Sequence, residues 1–104
     1  MGDVMELFMI RRRTAWKTPD DLGVAGERSA RVAADEFPEE IRWIRSYVIS
    51  EPDGSLGSVC IYEAAHEDAV RRHADKVGMP ADEVLPVADT VIVRPDPQPA
   101  EAAG

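Results

Sequence analysis

"IRWIRSYVISEPDGSLGSVCIYEA", residues 41–64, reads as two strands folded back on a tight turn. β-Branched and aromatic side chains fill 41–50 and 58–64. Between them "EPDGSLG" (51–57) sets Pro52, Asp53 and Gly54 in succession, which is turn chemistry and makes the pair a hairpin. What flanks the hairpin decides the fold. Upstream, "TPDDLGVAGERSARVAADEF" (18–37) predicts a helix. Thr18 can cap it, Pro19 suits its first position, and Asp20 and Asp21 favour the positive end of its dipole. Its inward stripe of Leu22, Ala25, Ser29, Val32 and Ala33 is modest, and Gly23 and Gly26 weaken it, with close approach to a sheet as one reason for them. Downstream, a second helix runs from about Glu67 to Val77, stops at Gly78 and is followed by Pro80.

The ends supply two more strands. "MELFMIRR" (5–12) is short, apolar and followed by charge, as an inner strand should be. "EVLPVADTVIVR" (83–94) supplies the last, broken near Pro86 and resumed at Thr90. The order β-α-β-β-α-β predicts an α+β, ferredoxin-like sandwich: a four-stranded antiparallel sheet with both helices on one face. Residues 1–94 make one domain, and the Pro/Ala-rich tail 95–104 has nothing to bury and is expected to be disordered.

Helices on one face leave the other face uncovered. Strict alternation puts Trp43, Arg45 and Tyr47 opposite to Ile44, Ser46 and Val48, and Cys60 and Tyr62 opposite to Val59 and Ile61. The set Trp43, Tyr47, Cys60 and Tyr62 reads as the uncovered face. It is too apolar for water, which predicts a homodimer closed around it.

The 104-residue chain carries 12 Lys and Arg against 20 Asp and Glu, a net charge of −8. A field of that sign repels nucleic acid and anionic lipid and attracts cations. No apolar run approaches the roughly 20 residues of a membrane span. One cysteine allows no internal disulfide, consistent with a reduced, cytoplasmic setting.

Few residues carry chemistry. His73 falls in line with Val70, Ala74 and Val77 on the apolar side of its helix, where an imidazole is unexpected. It has no ligand-bearing neighbour at helical spacing, so any metal site must be assembled from distant segments or a second subunit. The plainer alternative is a histidine hydrogen-bonded to a backbone carbonyl. Cys60 reads as a small buried hydrophobe or a ligand, and Tyr62 shares its face and needs a partner for its phenol. Glu67/Arg71 and Asp68/Arg72 have helix-surface spacing. The run Arg11–Arg12–Arg13 reads as a strand end entering solvent, or as a local cationic patch. There is no phosphate loop, no CxxC and no Ser–His–Asp signature, so the residues alone point to no catalysis.

The ordered set "RWIRSYV" (42–48), "CIYEA" (60–64), "AVRRHADKVGMPADEV" (69–84) and "TVIVRPD" (90–96) resembles the small bacterial nickel-binding proteins of ferredoxin-like fold. The matching positions include Trp43, Ser46, Tyr47, Cys60, Tyr62, His73, Gly78, Pro80 and Val87. The resemblance implies a homodimer that binds nickel or a similar divalent ion for storage or sensing, with His73, Cys60 and Tyr62 as the candidate metal ligands. The competing expectation is a dimeric α/β-barrel-type enzyme or small-ligand carrier, with a pocket around Trp43, Arg45, Tyr47, Tyr62 and His73.

Overall fold

The computed structural model describes residues 4–97. Its elements follow the expected order: β1 (Glu6–Trp16), α1 (Pro19–Glu36), β2 (Ile41–Ser50), β3 (Leu56–Ala64), α2 (Glu67–Val77) and β4 (Glu83–Pro86). The sheet order is β2-β3-β1-β4, and each adjacent pair is antiparallel. This is the ferredoxin-like arrangement. The caps behave as the residues dictate. The Thr18 hydroxyl accepts the Asp21 N–H at 3.1 Å, and Gly78 ends α2 in the left-handed region, where a side chain would be strained.

The core lies between the sheet and the helices. Phe8 and Ile10 of β1, Cys60, Tyr62 and Ala64 of β3, Ala33 of α1 with Phe37 at its end, and Val70 of α2 are all buried there. Cys60 and Tyr62 therefore face the helices, not the open side as expected. Trp43 belongs with them, because its ring stacks on Tyr62 with centroids 6.1 Å apart. Arg45 and Tyr47 lie on the opposite face. A bulge separates the two groups: Trp43 pairs with Tyr62 and Arg45 with the next residue, Ile61, so Ile44 is the extra residue. One inserted residue reverses the parity of the strand, which period-two reading cannot detect.

The open face is consequently different from the expected one. Leu85, Met9, Ile61 and Arg45 are register partners in one row across all four strands, with Arg11, Val59 and Tyr47 in the next.

β4 stops at Pro86 and does not resume at Thr90. Its register with β1 would set Thr90 opposite Val4, ahead of the start of β1 at Glu6. Val91, Ile92 and Val93 are accordingly unpaired and exposed. The chain then brings Asp96 to β2 at the far edge of the sheet, where its carboxylate accepts from Tyr47 at 2.7 Å and Arg45 at 2.8 Å. The expected disorder of the tail falls mostly on 98–104, outside the described residues.

The arginine run does not enter solvent as a patch. β1 continues to Trp16 through a second bulge, with Thr14 in the left-handed region at φ 46°. Glu51 holds that bulge: its carboxylate accepts from the Thr14 N–H at 3.0 Å and from Arg11 at 3.1 Å. Gly57 is the floor beneath this cluster. A Cβ there would overlap the Glu51 carboxylate and sit 2.5 Å from the Arg12 carbonyl oxygen. Gly57→Ala is therefore expected to cost about 1–3 kcal/mol in urea unfolding, the usual range for overpacking. The same cluster sets an acid limit. The Thr14 N–H and then Arg11 hold the Glu51 carboxyl below the usual glutamate range. Its contribution is complete above that range and disappears as pH falls through the lower, folded-state value. Acid titration of thermal unfolding is expected to show a shallower loss in Glu51→Gln than in the natural chain.

Candidate functional site

Two buried polar side chains, His73 and Tyr62, converge on Ser29, at the middle of the inner face of α1. The His73 Nε2 is 3.0 Å from the Ser29 carbonyl oxygen, so Nε2 carries the proton and donates. The Ser29 hydroxyl is hydrogen-bonded to the Tyr62 hydroxyl at 3.2 Å. One serine thus ties α1 to α2 and to the sheet. The imidazole packs edge-on against Phe37 and tilted against Tyr62, with centroids 5.8 and 5.6 Å away. Its Nδ1 lone pair is buried without a hydrogen-bond partner among the described residues. Cys60 lies two residues along β3 from Tyr62, with its sulfur 3.2 Å from the Ser58 hydroxyl.

These surroundings determine charge states. Burial lowers the His73 pKa; the Ser29 carbonyl acts against that, and the positive charge of Arg12 adds to it. Burial raises the Tyr62 phenol above its ordinary value, which the Ser29 hydrogen bond and Arg12 only partly oppose. Both side chains are neutral at physiological pH.

The three expected ligands His73, Cys60 and Tyr62 do come to the same side of the sheet. His66, at the N-cap of α2, is exposed and stands apart from them. Among the described residues no three His, Cys, Asp or Glu side chains come together around a possible ion.

A cleft of about 190 Å³ opens beside Ser29, between α1 and the β2–β3 half of the sheet. Trp43 and Tyr62 line it, as expected of a pocket; Arg45, Tyr47 and His73 do not. Arg12 lines it as well; sequence reasoning missed this residue, and placed Ser29 on the inward stripe of α1 without giving it a role. The signal was available for Arg12, since it continues the alternation Phe8, Ile10, Arg12 onto the buried face.

Comparison with known proteins places the fold in a family. Residues 8–87 match the family described as nickel responsive protein, SCO4226-like. The chain belongs to this family. The crystal structure of SCO4226 from Streptomyces coelicolor A3(2) is similar to it, with a TM-score of 0.65 and 24% identity over 82% of this chain and 99% of the other. That likeness supports the ferredoxin-like fold. No curated protein matches the chain significantly.

Family membership raises nickel, and the buried trio can be tested against it. Nε2 of His73 donates to a carbonyl and leaves Nδ1 as the ring's one free donor atom, while burial favours the protonated form of the Tyr62 phenol. The charge of Arg12 disfavours a cation near either ring. The one buried carboxylate among the described residues, Glu51, is engaged by Arg11 and Thr14. Among the described residues no three His, Cys, Asp or Glu side chains gather at Nδ1 to complete a site for a divalent ion, and the contacts of the set are those of a polar core layer.

The layer predicts a measurable pH response. A histidine whose folded pKa is lowered binds its proton more readily when unfolded, so stability is complete above the ordinary value near 6.5 and falls as pH drops below it. Thermal unfolding from pH 7.5 to 5.5 should show that loss, at most about 1.4 kcal/mol per pH unit for one group. His73→Gln is expected to flatten it.

Proposed function

We propose that this protein is a homodimer that binds nickel, in storage or sensing and without catalysis. Membership of the nickel responsive family is the observation that carries the reading. Imidazole nitrogen with oxygen or sulfur donors suits Ni(II), and a net charge of −8 favours cations near the surface. The donors of one described subunit form no cluster, and this reading therefore assigns the ion to a site shared between subunits. His73, Cys60 and Tyr62 enter this reading as packed wall, not as ligands.

The open sheet face supports the dimer. Met9, Ile61 and Val59 are only half-buried there, Leu85 remains 46% exposed, and Val91–Val93 add unpaired apolar surface beyond β4. Burial of apolar area at roughly 25 cal/mol per Å² favours covering such a face, and a second copy presents the same face in return. This is the face-to-face dimer expected from the sequence, with Met9, Val59 and Ile61 replacing Trp43, Cys60 and Tyr62 at its centre.

Light scattering at micromolar concentration should report twice 11.4 kDa, and Ile61→Lys should report a monomer. Calorimetric titration of the metal-free dimer with Ni(II) should saturate, and persist in His73→Ala. The monomeric variant should lose at least about tenfold in affinity, equivalent to 1.4 kcal/mol. Absence of nickel binding by the natural chain would end the metal reading; equal binding by the monomer would end the shared site.

A further inference from the structure

Arg12 is the most unusual residue in the molecule. Its neighbours in the arginine run both find carboxylates, Arg11 at Glu51 and Arg13 at Glu83. Arg12 points the other way, into the helix-covered side, with 0% of its surface exposed. None of its three guanidinium nitrogens has a hydrogen-bond partner among the described residues. Arginine cannot escape by losing its proton. A buried, unpaired cation is strongly unfavourable even after relaxation. The polar groups lining the same cleft, Ser29, Ser46, Ser58, Cys60 and Tyr62, include no carboxylate.

The cleft beside Arg12 is a consequence of small residues on α1. A Cβ on Gly26 would meet only the edge of the Trp43 ring, at 3.9 Å, and one on Gly23 would meet nothing within 4 Å. Close approach to the sheet therefore does not compel either glycine. At Gly26 the missing side chain leaves volume in the cleft. The walls are mainly apolar, with the tryptophans 16 and 43, Leu22 and Met79 around the stack of Trp43 on Tyr62. Trp43 and Val48 are 38% and 52% exposed and lie on the edge strand β2, which makes that edge the entrance. An apolar cavity of about 150 Å³ is enough to take benzene. At about 190 Å³ this one has room for a single ring, or a short aliphatic chain, plus a small charged head.

We propose that this cleft binds a small monocarboxylate with an apolar body, its carboxylate paired with the Arg12 guanidinium and its ring or chain against Trp43 and Tyr62. The planar guanidinium fork matches the two oxygens of a carboxylate. A phosphate or sulfate dianion is a poorer match, because one guanidinium and a few hydroxyls cannot satisfy it among apolar walls. The site is independent of the nickel reading, since it uses one subunit and no metal.

The test uses metal-free full-length protein. Benzoate, phenylacetate and hexanoate are titrated while thermal unfolding and tryptophan emission are followed; both tryptophans line the cleft and report on it. Benzamide and inorganic phosphate are the controls. At least one carboxylate should raise the unfolding temperature saturably and change the emission, with benzamide about tenfold weaker or more, as loss of a charge-assisted pair implies. Arg12→Met should weaken carboxylate binding about ten- to a hundredfold. It should also unfold at a higher temperature than the ligand-free natural chain, because it removes an unpaired buried charge. Gly26→Leu, which keeps Arg12 and fills the cleft on a helix that tolerates leucine well, should block binding and carries the test if Arg12→Met does not fold. Flat signals with all three carboxylates, an unchanged benzoate affinity in the variants, or a response to phosphate alone would overturn the proposal.

Discussion

The parity of the central strand pair governs the rest of the structure. β1 and β3 lie side by side in the middle of the sheet, and their register commits Phe8, Ile10 and Arg12 to the same face as Ser58, Cys60 and Tyr62. The helices then close on that face. Alternation in the inner strands leaves no choice about Arg12: if Ile10 is core, Arg12 is core too. A charge is thereby carried inside by a pairing pattern that the apolar residues require, and the interior has to accommodate it.

Among the described residues, the helix-covered interior around Arg12 does so without an anion of its own. Its polar layer is neutral, built on the two groups of Ser29 that engage His73 and Tyr62. Such a layer links both helices to the sheet with directed bonds, where apolar contacts alone would permit sliding. The guanidinium also makes the layer hostile to cations. A nickel responsive family and a cation-repelling core are compatible when metal chemistry lies outside the core, at the acidic surface or between subunits.

The helices divide the labour unevenly. α2 is tightly packed, with Ala69, Val70, His73, Ala74 and Val77 buried along one stripe. α1 is longer but buries only Ser29 and Ala33 fully, and carries two glycines on its first turns. Filling those positions would raise helix propensity by about 1 kcal/mol each relative to glycine. Retaining a loosely filled first half while the second half is conventionally packed resembles the exchange of stability for function seen at ligand sites.

Much of the fold was legible in the residues. The strand–helix–strand order, the Thr18 and Gly78 caps, the turn at 51–57 and the inward stripe of α2, His73 included, all follow from local periodicity and cap chemistry, which act within a few residues. The faces of the sheet were not legible. The bulge at Ile44 has no compositional mark, yet it separates Trp43 from Tyr47 and reverses what alternation implies. Whether a strand's face meets helices or solvent also depends on where the crossovers land, which no strand encodes by itself. The final strand failed for a similar reason: 90–94 has the composition of a strand, but β1 begins too late to pair with it. His73 could be placed inward from its helix alone, whereas its bond to Ser29 requires α1 to arrive beside it. Alternation could likewise have placed Arg12 inside. That it stands there without a carboxylate, beside a cleft left by Gly26, is a property of four segments meeting in space, and only the tertiary structure decides it.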